Sequence, residues 1–478
     1  MAENWEELNQ KTIELLQSGQ AEAAVAAAQE AVAHARERGA KEDLDVSLNN
    51  LGEVCQAAGD LPGAEAALKE SLEVERELYG EHDLRQVDAI YSLAGIYVAT
   101  ERFGLAQEQL KRAVELMERE NAADPSVGAM LVELAEAYRR GGELDTAGDT
   151  LRRALKNYEN TVGPGHPAFA DALGRLAENY MARGGAQAAE PLLEQAIGIL
   201  QHSLPADDPQ IAAMMQKQAE LFLTTGRMEK AQPLFKKVIA MYKKAYGKDT
   251  VEASLAQNDL GECYLSQGKL SDAKPLFESS LKSREAAYGP DHPAVAQSLN
   301  NLAELYEHEG HLAEALPLHE RALDIRRRFF GERHVAVTQS LENLAAVYQG
   351  LGRLDEAEQL LRESVSIWQE RYGQDHPAVA QANFNLATVL FQRAKYREAE
   401  RTLEQVRDTM TAHLGEEDQN LILVYKALGV VSEKLGKEDK AKEYALLFGR
   451  LSQKYGPKQK QNTVLEMNPA KPGDLPPS

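Results

Sequence analysis

Apolar residues recur along this chain at spacings of three and four. In the stretch HPAVAQSLNNLAELYEHEG at 292–310, Leu299, Leu302, Ala303 and Tyr306 fall on one face of a helix. Nearly the same nineteen residues return at 334–352 and at 376–394, each 42 residues after the last. With Leu302 as the reference position, its counterparts are Leu51, Leu93, Leu134, Leu176, Gln218, Leu260, Leu344, Leu386 and Leu428. Every step is 42 residues except the 41 between Leu93 and Leu134, and a degenerate unit with LLQSGQAEAAVAAAQEAV at 15–32 precedes them. Eleven units therefore cover about residues 4–456.

Each unit carries its own punctuation. Eight residues after the reference position stands glycine in nine of eleven units; the exceptions are Glu101 and Ala394. A glycine there closes a first helix by accepting the left-handed conformation. Thirteen residues after the reference position stands alanine in all eleven units, from Ala24 to Ala441, which predicts close approach of two helix backbones. A second helix then runs to an aromatic-glycine pair such as Tyr79-Gly80, Tyr246-Gly247, Tyr288-Gly289, Phe330-Gly331, Tyr372-Gly373 or Tyr455-Gly456. Each unit is thus a helical hairpin that cannot bury its apolar faces alone, so the hairpins stack. Strand signals are absent from the sequence, and the predicted fold is an all-α solenoid.

The pattern Leu-Ala/Gly-x-x-Tyr, then Gly, then Ala resembles the tetratricopeptide repeat. The 42-residue period and the junction YGPDHPAVAQSLNNLAELY at 288–306 resemble the kinesin-light-chain type of that family, whose repeats read LG-x-x-HP-x-VA-x-x-LNNLA-x-LY. The resemblance implies a right-handed superhelical α-solenoid of about eleven stacked helix-turn-helix units over 1–456, with 1–40 a degenerate N-terminal unit and 416–456 a C-terminal cap. It reaches the repeat array only. Kinesin light chains carry a heptad coiled coil before their repeats, this chain shows none, and a motor subunit is not implied. Residues 457–478, with five prolines and almost no apolar periodicity, read as a disordered tail.

Charge narrows the choice of partner. With 53 Lys and Arg against 75 Asp and Glu the net charge is −22, which argues against nucleic acid and anionic membrane as main partners. The two cysteines, Cys55 and Cys263, occupy packing positions and form no disulfide framework or metal cluster, so a reducing, cytoplasmic setting is expected. No signal peptide and no run of eighteen apolar residues is present. There is no glycine-rich phosphate loop, HExxH or G-x-S-x-G. His308 and His311 lie across a turn rather than on one helical face. The column His166, His292, His334 and His376 suits helix N-caps before the first turn. No enzymatic activity, cofactor or metal is expected.

Candidate binding residues follow from geometry and resemblance together. Positions −5, −1 and +2 from the reference fall on one helical face, and in tetratricopeptide arrays that face, with position −2, lines the concave groove. At −5 stand Gln297, Gln339 and Gln381, and at −1 Asn301, Asn343 and Asn385, a double ladder of amides able to hold an extended peptide backbone. The resemblance gives these asparagines, and to a lesser degree Asn50, contact with a cargo peptide; position −2 adds Asn258 and Asn300. At +2 stand Glu53, Glu136, Glu178, Glu220, Glu262 and Glu304, an acidic stripe suited to a partner with basic residues. Two other readings stay open: the amides bond between neighbouring repeats, and the glutamates pair with Arg139, Arg140 or Lys217. Because +2 never carries Asn, a chaperone C-terminal carboxylate clamp is not expected. The functional expectation is a protein-interaction scaffold that binds an extended segment in the groove. The alternative is an assembly protein that self-associates or bridges folded partners through its convex face or ends. The polar last unit, with Lys434, Lys437, Lys440 and Lys442, argues for a cap against end-to-end growth.

Overall fold

The computed structural model describes residues 4–247 and 250–455; Gly456 and the tail at 457–478 lie outside the described residues. The described residues form eleven hairpins of α-helix and no strand. In chain order these are α1 (Trp5–Gln17) with α2 (Ala21–Arg38), α3 (Lys41–Ala57) with α4 (Leu61–Tyr79), α5 (Gln86–Ala99) with α6 (Phe103–Asn121), α7 (Pro125–Arg140) with α8 (Leu144–Thr161), and α9 (Pro167–Ala182) with α10 (Ala186–Ser203). There follow α11 (Pro209–Thr224) with α12 (Met228–Tyr246), α13 (Val251–Leu265) with α14 (Leu270–Tyr288), and α15 (Pro293–His308) with α16 (Leu312–Phe330). The last three pairs are α17 (Val335–Gly350) with α18 (Leu354–Tyr372), α19 (Pro377–Gln392) with α20 (Tyr396–Leu414), and α21 (Leu421–Lys434) with α22 (Glu438–Tyr455). The chain divides after Ala206 into two compact units, the first holding α1–α10 and the second α11–α22. Within each unit every first helix packs on its own second helix, and every second helix packs on the next first helix.

The turn between paired helices has one conformation throughout. The +8 residue has positive φ in every hairpin, from Gly19 at 76° to Gly436 at 71°. The two units without glycine keep it: Glu101 at φ 56° and Ala394 at φ 58° are the only non-glycine residues with positive φ among the described residues. A side chain in this region is disfavoured by about 1 kcal/mol or more relative to glycine. Glu101→Gly and Ala394→Gly are each expected to raise stability by about 1 kcal/mol, read as an upward shift of the urea midpoint with unchanged slope.

Close packing explains the alanine column. Ten of the eleven alanines are fully buried, and Ala441 of the last hairpin is 8% exposed. A second small position supports the same approach: a Cβ on Gly52 would lie 2.7 Å from Leu68, and one on Gly261 would collide with the ring of Phe277.

The histidine column caps helices. Nδ1 of His166, His292, His334 and His376 accepts the backbone N–H of Ala168, Ala294, Ala336 and Ala378 at 3.1–3.2 Å. The aromatic residue that ends the preceding helix stacks on three of these rings, with centroids 4.4 Å apart for Tyr288–His292, 4.9 Å for Phe330–His334 and 4.5 Å for Tyr372–His376. Cys55 and Cys263 are buried, and neither is in a disulfide among the described residues. In the last hairpin, Lys437 binds Glu400 and Lys440 binds Glu404, both back on α20.

Candidate peptide-binding face

The first helices α15, α17 and α19 carry the amide ladder, and the helical period places its members side by side. Gln297, Gln339, Asn343, Gln381 and Asn385 are half-buried, while Asn301 is only 5% exposed. Part of the ladder bonds internally. Gln297 donates to Asn301 Oδ1 at 3.1 Å and accepts from Arg326 at 3.3 Å. Asn385 donates to Glu342 at 3.3 Å, and Asn50 in the first unit donates to Asn9 at 2.9 Å. Oδ1 of Asn343 is buried without a hydrogen-bond partner among the described residues, and so is Nε2 of Gln349 farther along α17.

The −2 asparagines turn inward. Asn300 is buried and its Oδ1 bonds Nδ1 of the fully packed His319 at 3.0 Å, whose Nε2 reaches Glu307 at 2.8 Å. Asn258 is buried beside Arg284; with its carbonyl turned to the guanidinium it accepts two bonds at 3.1 Å and donates to Ser280 at 3.0 Å.

The acidic stripe is partly compensated. Arg139 holds Glu136 through both oxygens at 2.7 and 2.8 Å, and Arg175 lies 3.9 Å from the same carboxylate. Gln216 donates to Glu220 at 3.0 Å, and His308 lies 4.0 Å from Glu304. Glu178 and Glu262 also interact with neighbouring groups, and Glu53 is exposed. The pairing of the stripe with Arg139 is therefore real. Arg140 instead lies over the ring of Phe103 at 5.0 Å.

Several charged groups behind this face are not signalled by the ladder columns. Arg284 and Arg326 are 3% and 6% exposed, and burial lowers both guanidinium pKa values, that of Arg326 to about 10. Arg326 donates to Ser340 at 2.7 Å and makes no ion pair among the described residues. Asp259 is pushed up by burial and then by the charges of Glu220 and Glu262, with Arg284 opposing. Glu342 at −2 is 7% exposed and raised by burial. The column 24 residues after the reference could have revealed the arginines: it holds Met117, Tyr158, Leu200, Tyr242, Trp368 and Met410 in six other units, and Arg284 and Arg326, like Glu75, break that apolar series.

Two family models match the chain. The model of the MalT-like TPR region matches residues 12–244, and the model of the tetratricopeptide repeat matches 210–286, 252–328 and 334–412. The chain is a tetratricopeptide-repeat protein. Among solved structures, the putative kinesin light chain nearly identical TPR-like repeats of Podosopora anserina are 26% identical, over 43% of this tetratricopeptide chain and 98% of that one, with a TM-score of 0.38. Their Q17M form gives 26%, 43%, 97% and 0.39. BtubC (BKLC) from P. vanneervenii is 23% identical, over 48% of this chain and 92% of that one, with a TM-score of 0.43. No curated protein matches. Among the described residues of this tetratricopeptide protein, no helix is long and apolar enough to cross a membrane.

Proposed function

We propose that this tetratricopeptide-repeat protein is a non-enzymatic scaffold that holds an extended segment of a partner protein along α15, α17 and α19, in a reducing, cytoplasmic setting. The observation that carries this reading is the row of half-buried amide side chains, Gln339, Asn343, Gln381 and Asn385, on α17 and α19. Buried polar atoms in folded proteins nearly always have hydrogen-bond partners, yet Asn343 Oδ1 and Gln349 Nε2 have none among the described residues. A half-buried side-chain amide such as that of Asn343 or Gln381 offers both an acceptor and a donor, which matches the N–H and C=O of a peptide backbone. An extended segment rises about 3.3 Å per residue and repeats stack about 10 Å apart, so three repeats meet on the order of nine residues. The expected result of Asn343→Ala with Gln381→Ala is loss of partner capture from a native lysate at unchanged helical content. Full capture by that variant would remove the amide face from the account.

One observation favours the assembly reading. Phe329 and Phe330 at the end of α16 are 58% and 36% exposed, two adjacent apolar side chains where α12, α14 and α20 each end in one, Tyr246, Tyr288 and Leu414. If this tip joins copies, sedimentation gives a mass that rises with concentration and falls back for Phe329→Ser; a concentration-independent monomer removes the self-association form of that reading.

A further inference from the structure

Resting on the groove reading above, we propose that a pocket between α17 and α19 is the site where the partner segment inserts a lysine side chain, with its ammonium against Glu342. The pocket is lined by Glu342, Gln349, Leu361, Phe384, Asn385 and Thr388, and holds about 30 Å³. That is room for one or two water-sized groups, which fits an ammonium and is tight for a planar guanidinium.

The carboxyl at its base is the unusual feature. Glu342 is buried, and its hydrogen bonds are to neutral groups: Ser364 donates to Oε1 at 2.6 Å, Asn385 donates to Oε2 at 3.3 Å, and the Trp368 indole donates as well. It makes no ion pair among the described residues. The contrast is Glu358, also buried, which is held by Arg362, Arg393 and Lys395. A buried carboxylate is strongly disfavoured without a counter-charge, and burial raises the Glu342 pKa accordingly. The two preceding repeats hold Asn258 and Asn300 at this position, so repeat packing does not demand a carboxyl. The surrounding groups also change here. The +2 glutamates end at Glu304 and give way to Ala346 and Thr388, which line the mouth and leave it open. Gln349 also lines the pocket, and its Nε2 is buried without an acceptor among the described residues. An ammonium entering this pocket replaces its lost hydration with Glu342 and the oxygens of Asn385 and Thr388.

The test is selection from a phage-displayed library of random nonapeptides against the full chain, followed by calorimetry with the best synthetic peptide. Expected is a fixed lysine in the selected sequences, roughly 30-fold weaker binding to Glu342→Gln, and loss of selection with Ala346→Lys. The second variant places an internal ammonium four residues from Glu342 on the same helix face and should raise the melting temperature, which separates pocket occupation from misfolding. Binders without a basic residue, or equal binding by Glu342→Gln, would overturn the lysine site while leaving the groove reading intact. A fixed arginine would overturn the ammonium assignment. No selected binders at all would overturn the groove reading and the site with it.

Discussion

Phe277→Ala is expected to destabilise the second unit by about 3–5 kcal/mol, the range for deleting a fully buried aromatic side chain. Phe277 on α14 is fully buried, and its ring fills the space that Gly261 leaves on α13. The same cluster includes Leu302 and Leu305 on α15, so the ring joins its own hairpin to the next. Removing it weakens both the hairpin and the interface between hairpins, and in a stacked array stability is a sum of these terms. Phe277→Leu is expected to lose much less, about 1 kcal/mol. Leucine fills this column at Leu68, Leu110, Leu151, Leu193, Leu361 and Leu403. Urea unfolding followed by helical signal measures both; equal losses for the two variants would contradict the packing assigned to the ring.

Glu75→Gln is expected to change how stability depends on pH. Glu75 on α4 is 2% exposed, and its Oε2 has no hydrogen-bond partner among the described residues. Burial first, and then the charges of Asp45, Asp88 and Asp83, push its pKa up to about 7, against a smaller opposing bond from Asn49. Asp45 is itself raised by burial, while it accepts from Ser71 at 2.6 Å and Asn49 at 3.3 Å. Because the folded value lies above the free value of 4.5, the folded state favours the protonated acid. The contribution is fully present below about pH 4.5 and is lost as pH rises through about 7. Between pH 5 and 8 this amounts to on the order of 2 kcal/mol. Gln keeps the shape without the proton equilibrium, so the variant should gain about that much relative to wild type at pH 8 and little at pH 5. The difference between the two proteins isolates this site from groups of opposite sign, such as His376, whose pKa burial lowers first, and then the nearby His413. A variant that gains nothing at pH 8 would contradict the buried acid.

The hairpins were legible in the sequence because stacking imposes the same demands on each unit. The alanine column, the +8 turn and the capping histidines are local requirements, and their spacing alone placed them. Even the exceptions were informative: Glu101 and Ala394 hold the turn conformation that glycine holds elsewhere. The binding face was less legible because a column gives the direction of a side chain and not its partner. Gln297 and Asn301 share a column pattern with Gln381 and Asn343, yet the first pair bond each other and Arg326. What separates them is a substitution on the second helix, where an arginine replaces an apolar residue 24 positions on. Glu342 was overlooked for the same reason: its surroundings come from α18 and α19, not from its own repeat pattern.

The central claim is that a partner segment lies along the first helices of the seventh to ninth repeats. The most direct test places a photo-crosslinking p-benzoylphenylalanine at Gln339 or Thr388 on that face, and at Arg362 on α18 as the opposing position, followed by irradiation in a native lysate. The account predicts crosslinked partner from Gln339 and Thr388 and none from Arg362. Crosslinking from Arg362 with none from the first-helix positions would contradict it.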